Sequence, residues 1–343
     1  MDGRELIKKV IDFDDAERIG YAFGEGYPND FASFGAAGRE GFDYGWHEAK
    51  DFAGRYPGLA SFNGQARKDE FGNIWARMAG DSLSKGEVLY GALGEWSDLE
   101  GYSFPNLSDP KRFAHIEQSA QKYLSKFKLG GLPGFPFDIM RYMRKLEYFL
   151  EDLLLERENV LKLGETVVGE LLKIIDNYGD LGMDAVMFAE DWGTQDRLMI
   201  SPELWREIFK PSFQKLCDRA HGKNMYVFMH SCGYIYEILE DLIEVGVNVF
   251  NFDQSALMGT ERVAGIFHKR ATLFAPVDIQ TILPTGDRAR IEGEAKDLIR
   301  KFFHGGGFIA KDYHSASIQV KEEWSVWMRD AFIAHAKNQS RIF

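Results

Sequence analysis

Met225-Tyr226-Val227-Phe228-Met229-His230-Ser231-Cys232-Gly233 is the stretch that decides the fold. Five apolar residues run directly into a histidine, a cysteine and a glycine. A short apolar run bounded by turn residues reads as a buried strand of a parallel sheet. Helical patterns flank it at 202–222 and 234–245, so His230 and Cys232 stand where a strand ends and a βα loop begins. That is the face on which α/β barrels keep their chemistry. Residues i and i+2 of an extended chain point the same way, so the imidazole and the thiol address one point in space. Gly233 lets the backbone turn away without steric cost. A borderline and a soft ligand so placed suit zinc. The bland reading is a histidine satisfied by a backbone carbonyl beside a cysteine acting as a small buried hydrophobe. Placement at a strand end sets the metal reading beside it.

Working outward, the same alternation recurs. Strands are expected at 18–23, 127–131, 184–189, 247–252, 271–275 and 307–310, with helical periodicity over 4–18, 137–155, 158–178 and 318–338. Ser201-Pro202-Glu203 is a helix start, with serine as cap and proline in the first turn. Residues 24–66 carry glycine, aromatics and acids without a sustained period. They read as irregular, with one helix near 45–53 and one strand concealed. Asp69–Trp75 and Glu87–Gly91 look like a hairpin over one barrel end, followed by a helix at 110–125. Strands alternating with helices mean βαβ units. The expected architecture is a (β/α)₈ TIM barrel over 1–343, with an N-terminal elaboration within 1–110. An open doubly wound sheet is the second choice, but no G-x-G-x-x-G follows any strand.

Composition narrows the function. The 343 residues hold 41 basic and 53 acidic side chains, a net charge of −12, with the acids scattered. That argues against nucleic acid or an anionic membrane as partner. Two cysteines make no disulfide framework and fit a reducing compartment. The charged start and the lack of a long apolar run give a cytoplasmic expectation.

A barrel gathers distant strand ends at one mouth: Glu190, Asp191, Trp192, Gln195, His230, Cys232, Asp253, Gln254, Asp278, Lys311, Asp312, Tyr313 and His314. Two histidines, a thiol and a carboxylate complete a tetrahedral zinc set, or three ligands and an open position. Asp191 and Asp253 could orient a ligand or bind substrate hydroxyls, while Asp278 and Asp287 read better as caps. Phe23 and Trp192 join the aromatics that could receive an apolar donor, or that simply pack. Cys217, at helical spacing with Phe213 and Leu216, reads as packing.

Glu190-Asp191-Trp192-Gly193-Thr194-Gln195, Ser201-Pro202-Glu203-Leu204-Trp205, Phe209-Lys210-Pro211, His230-Ser231-Cys232-Gly233 and Gly305-Gly306-Gly307-Phe308 resemble the uroporphyrinogen decarboxylase superfamily. The resemblance implies a (β/α)₈ barrel with its site at the C-terminal strand ends. One branch decarboxylates uroporphyrinogen without a cofactor. The other holds zinc-dependent methyltransferases that work with a corrinoid protein or a thiol. The decarboxylases carry an R-Q-A-G-R-Y stretch that grips carboxylates; here only Ala53-Gly54-Arg55-Tyr56 matches it. The methyltransferases carry H-x-C, matched by His230 and Cys232. Where that branch places a further cysteine after the last strand, this chain has His314. The resemblance thus implies metal ligands His230, Cys232 and His314, and catalytic groups Glu190 and Asp191. Trp192, Gln195, Asp253, Tyr313 and Phe23 would contact substrate. It also implies methyl transfer from a small methylated, methoxy-aromatic type of donor to a corrinoid on a partner protein, since no D-x-H-x-x-G cobalamin pattern is present, and it suggests a homodimer. A decarboxylase of the family type, or a barrel that only binds a partner, are the alternatives.

Overall fold

The computed structural model describes residues 1–81, 84–313 and 320–336. Eight parallel strands, β1 (Gly20–Ala22), β2 (Phe31–Gly35), β7 (Phe127–Gly131), β8 (Ala185–Ala189), β9 (Tyr226–His230), β10 (Val249–Asn251), β11 (Thr272–Ala275) and β12 (Phe308–Lys311), run in the order β1-β12-β11-β10-β9-β8-β7-β2. They form a nearly closed (β/α)₈ barrel. Four further strands, β3 (His47–Glu48), β4 (Gly64–Lys68), β5 (Ile74–Met78) and β6 (Glu87–Tyr90), make an antiparallel sheet inserted between β2 and β7. The helices are α1 (Gly3–Asp12), α2 (Ala114–Ala120), α3 (Pro136–Arg144), α4 (Leu146–Leu155), α5 (Arg157–Asp180), α6 (Pro202–Ile208), α7 (Lys210–Gly222), α8 (Leu239–Glu244), α9 (Thr260–Phe267), α10 (Arg288–Phe302) and α11 (Glu322–His335).

The pleat divides each strand between lumen and helix layer. In β9, Phe228 faces inward, its ring 6.2 Å from Phe31 and 5.8 Å from Phe127. Phe31 of β2 also stacks on Phe274 of β11 at 5.8 Å. These four rings fill the middle of the barrel. Phe188 of β8 faces outward instead, stacked 3.5 Å from Phe135 and edge-on to Phe213 of α7. Gly130 of β7 also faces outward, where a Cβ would lie 2.8 Å from the Tyr178 ring of α5. Helix α1 lies across the base: Val10 O accepts from Gly307 N at 2.8 Å, and Arg4 Nε donates to the buried Asp184 at 2.8 Å.

Several expectations change. The first helix stops at Asp12 because Phe13 adopts a left-handed conformation with φ 55°. The concealed barrel strand is β2. It was hard to see because the return from β1 is a bare loop, with Asp30 N bonded to Tyr21 O at 2.8 Å, and not a helix. A helix near 45–53 does not form; β3 and a single 3₁₀ turn occupy it. The expected hairpin is part of a four-stranded sheet, and the helix at 110–125 is broken into short turns around α2.

Phe31→Ala should cost about 3–5 kcal/mol, because it removes the ring shared by three barrel strands and leaves a cavity. Urea unfolding followed by circular dichroism measures this, and a loss below about 1 kcal/mol would show that the lumen repacks freely.

Candidate metal centre at the barrel mouth

Parallel pairing sets three strands in register at the mouth. Ala189 lies opposite His230, and His230 opposite Asn251. The lumen-facing positions continue past the strand ends to Asp191, Cys232 and Asp253. One ligand atom from each of Asp191, His230 and Cys232 lies within 4.8 Å of the others. His230 Nε2 and Cys232 Sγ are 3.3 Å apart. Ligands about 2.0–2.3 Å from a tetrahedral zinc sit about 3.5 Å from one another, so the spacing fits. Asp191 Oδ1 accepts the Cys232 backbone N–H at 2.8 Å, which ties the two loops together. Gly233, at φ 80°, packs so closely on Gly193 that a Cβ would meet its carbonyl oxygen at 2.2 Å.

The imidazole is oriented by a residue that the sequence did not single out. His230 Nδ1 faces Asn251 Oδ1 at 3.1 Å. Asn251 Nδ2 donates to Phe274 O at 2.9 Å and to Asp253 Oδ1 at 3.4 Å, while Lys311 Nζ donates to Asn251 Oδ1 at 3.4 Å and to Asp253 Oδ1 at 2.9 Å. Acceptors surround one end of the amide and a donor faces the other, so the amide has one sensible orientation. Its oxygen must therefore accept Nδ1–H, which leaves the Nε2 lone pair aimed at Cys232. Second-sphere bonds of this kind fix the tautomer of a ligating histidine. Asn251 was hidden because it closes the apolar run Val249-Phe250-Asn251.

The thiol supplies the electrostatic evidence. Burial pushes Cys232 up to about 12, and the Asp191 and Asp253 carboxylates add to the effect. Of the two carboxylates, Asp253 is paired with Lys311 at 2.9 Å. A divalent ion would displace the proton and balance the charge. The donor set thus fits zinc.

Other expected residues fall elsewhere. Glu190 has the opposite parity to Asp191. Its side chain is fully buried, and Oε2 accepts from Phe137 N and Asp138 N at 3.1 and 3.4 Å, in the first turn of α3. It anchors a helix N-terminus and does not reach the mouth. Burial, then the charge of Asp138, holds its carboxyl well above the usual range. Trp192 is fully buried, its ring 4.1 Å from Phe137 and 4.7 Å from Phe209. Phe23, 2% exposed, stacks on Tyr21 and Phe332. Both pack the helix layer, because their parity turns them away from the lumen. Gln195 is exposed in the loop after β8, Asp253 is held by Lys311, and Tyr313 is half-buried after β12. His314 lies outside the described residues. Cys217 is fully buried in α7, as packing requires, and Asp287 caps α10.

The family model for uroporphyrinogen decarboxylase (URO-D) matches residues 93–333. The chain belongs to this family. No curated protein matches it in sequence. Among solved structures, it resembles a methyltransferase from Methanosarcina mazei, with a TM-score of 0.58, 18% identity, and coverage of 78% of this chain and 75% of that one. A D-psicose 3-epimerase from Clostridium cellulolyticum H10 aligns at a TM-score of 0.42 and 9% identity, over 70% of this chain and 86% of that one. At 18% identity the likeness to the methyltransferase is one of fold.

Asn251→Leu should release the His230 ring and lower metal affinity by about 10–100-fold, the usual effect of losing such a partner. Competition with a chromogenic zinc chelator measures this; unchanged affinity would show that Asn251 does not set the tautomer.

Proposed function

We propose that this chain is a zinc-dependent methyltransferase, passing a methyl group from a small methylated donor to a corrinoid carried by a separate protein. The observation that carries the proposal is the convergence of Asp191, His230 and Cys232 at the mouth, with His230 Nε2 freed by Asn251. Zinc held there would act as a Lewis acid on the donor heteroatom that carries the methyl group, so that the demethylated donor could leave as its anion while the methyl passes to the corrinoid.

The chain's own residues do the rest. Asn251 and Lys311 hold the imidazole in place, and the Cys232 N–H fixes Asp191. The bowl around them is roomy. Ser33, Gly35, Gly131 and Ala189 occupy lumen-facing positions of β2, β7 and β8, and all are exposed. Small side chains leave space for a flat cofactor face to approach. No helix among the described residues is long and apolar enough to cross a membrane. Both cysteines are free, which fits a reducing compartment.

Membership of the family would equally allow a decarboxylase. That reading needs arginines at the mouth to hold several carboxylates. Arg55, in the stretch that partly matches the decarboxylase motif, is exposed in the inserted region between two 3₁₀ turns. Arg141 near the mouth is already paired with Asp138 at 2.6 Å.

Purified protein should carry about one zinc per chain. Cys232→Ser should lose most of it on dialysis, while Cys217→Ser should keep it. Elemental analysis reads both, and equal retention would remove the thiol from the site. With a Co(I) corrinoid protein and a panel of methoxylated aromatics and methylamines, absorbance should report methyl-Co(III), and His230→Ala should abolish it. Transfer at the parental rate by that variant would take the metal out of the chemistry.

A further inference from the structure

The base of the barrel, at the strand ends away from the mouth, gathers more positive charge than it neutralises. Asp184 immediately precedes β8, and its side chain is 1% exposed. Arg4 Nε donates to both of its oxygens, at 2.8 and 3.1 Å, and Lys8 Nζ lies 3.0 Å from Oδ1. Arg4 and Lys8 stand one turn apart on α1, so a single carboxylate holds them side by side. Asp184 Oδ2 also accepts the backbone N–H of Lys128 at 3.0 Å, and Lys128 O accepts from Asp184 N at 2.8 Å. One buried acid thus joins α1, β7 and β8 and fixes two cations that are each about one-third exposed.

Lys128 brings a third cation. Its parity is opposite to that of Phe127, so its side chain leaves the lumen. It runs beside the turn that leads to Asp184: a Cβ on Gly182 would lie 3.8 Å from Nζ. Lys128 is only 7% exposed. Among the described residues its ammonium makes no hydrogen bond and no ion pair, yet the Nζ tip is not sealed from solvent. Burial lowers the hold of this amine on its proton, and Arg4 and Lys8 add to the effect against the pull of Asp184. A desolvated charge without a partner is costly. Three cations therefore share one carboxylate. Asp12, one turn beyond Lys8, accepts the Tyr226 hydroxyl at 2.8 Å and pairs with none of them. Among the described residues, neither Nη group of Arg4 has an acceptor. An excess of two positive charges with a free guanidinium fork suits a dianion whose oxygens each accept several bonds.

We propose that Arg4, Lys8 and Lys128 form a binding site for a phosphate dianion, free or as a small monoester, at the base of the barrel. The site goes beyond methyl transfer. Asp184 and Asp191 flank opposite ends of β8, so the anion neither needs nor touches the candidate metal centre. Bound there, it would tie α1 more firmly to β7 and β8.

The test is calorimetric titration and thermal unfolding of the purified full chain at about pH 8, above the second phosphate pKa of about 6. The probes are inorganic phosphate and glycerol 3-phosphate, with chloride at matched ionic strength as reference. Saturating phosphate should raise the parent's unfolding temperature by about 3 °C. Lys128→Met removes a charge without breaking a contact. It should unfold no earlier than the parent in chloride, yet bind phosphate at least tenfold more weakly. Lys8→Gln, at the exposed rim, should keep the fold and weaken phosphate severalfold, so the test stands even where Lys128→Met fails to fold. Glycerol 3-phosphate binding as tightly as phosphate would mark a site open to monoesters, and phosphate alone a closed ion site; either supports the assignment. No saturable binding by the parent would overturn it. Undiminished affinity in the variants would also overturn it and place the anion elsewhere, the mouth included. A rise in unfolding temperature shared equally by parent and Lys128→Met would be salt exclusion and would overturn it too.

Discussion

The parallel register of β8, β9 and β10 is the constraint on which the site depends. With Ala189, His230 and Asn251 abreast, the next lumen-facing positions must be Asp191, Cys232 and Asp253. A shift of one residue in any of these strands would turn its polar end into the helix layer. The register is held from below by the rings of Phe228, Phe31, Phe127 and Phe274. It is held from above by Asn251, which donates across to the Phe274 carbonyl and accepts at the His230 ring. Core packing and ligand placement are thus set by the same pleat.

The legible part of this fold was the part built from repeating units. Each strand from β7 to β12 is a short apolar run followed by a helix, and 3.6-residue periodicity against a β run is a strong contrast. The (β/α)₈ class and the mouth residues followed from that contrast. The first two strands lacked it. Phe31–Gly35 mixes aromatic, small and glycine residues, and no helix separates it from β1. The inserted sheet was half visible: β5 and β6 showed as strands, while β4, with Gln65, Arg67 and Lys68, reads as polar chain and gains its partners only in three dimensions.

The site was legible where chemistry is written in side-chain type and hidden where it is written in direction. His230 and Cys232 stand out by identity and spacing. Asn251 looks like the end of an apolar strand, and only its two-sided hydrogen bonding reveals its part. Trp192 follows an expected strand and Phe23 ends one, yet parity sends both rings into the packing between barrel and helices.

Glu190 and Asp191 show how adjacent residues of similar chemistry divide the work. Asp191 continues the lumen face of β8 and joins the ligand cluster. Glu190, on the other face, accepts the N–H groups that begin α3. An orphan helix N-terminus buried beside a barrel needs an acceptor, and a carboxyl from the neighbouring strand supplies one without a loop of its own. That contact fixes where α3 starts, and α3 carries Arg141 and Tyr142 about one turn later. The aromatic seat for Trp75, and hence the position of the inserted sheet, follows from it. Glu190 therefore sets the helix that starts beside the β8 end of the mouth, while its neighbour joins the candidate ligand cluster.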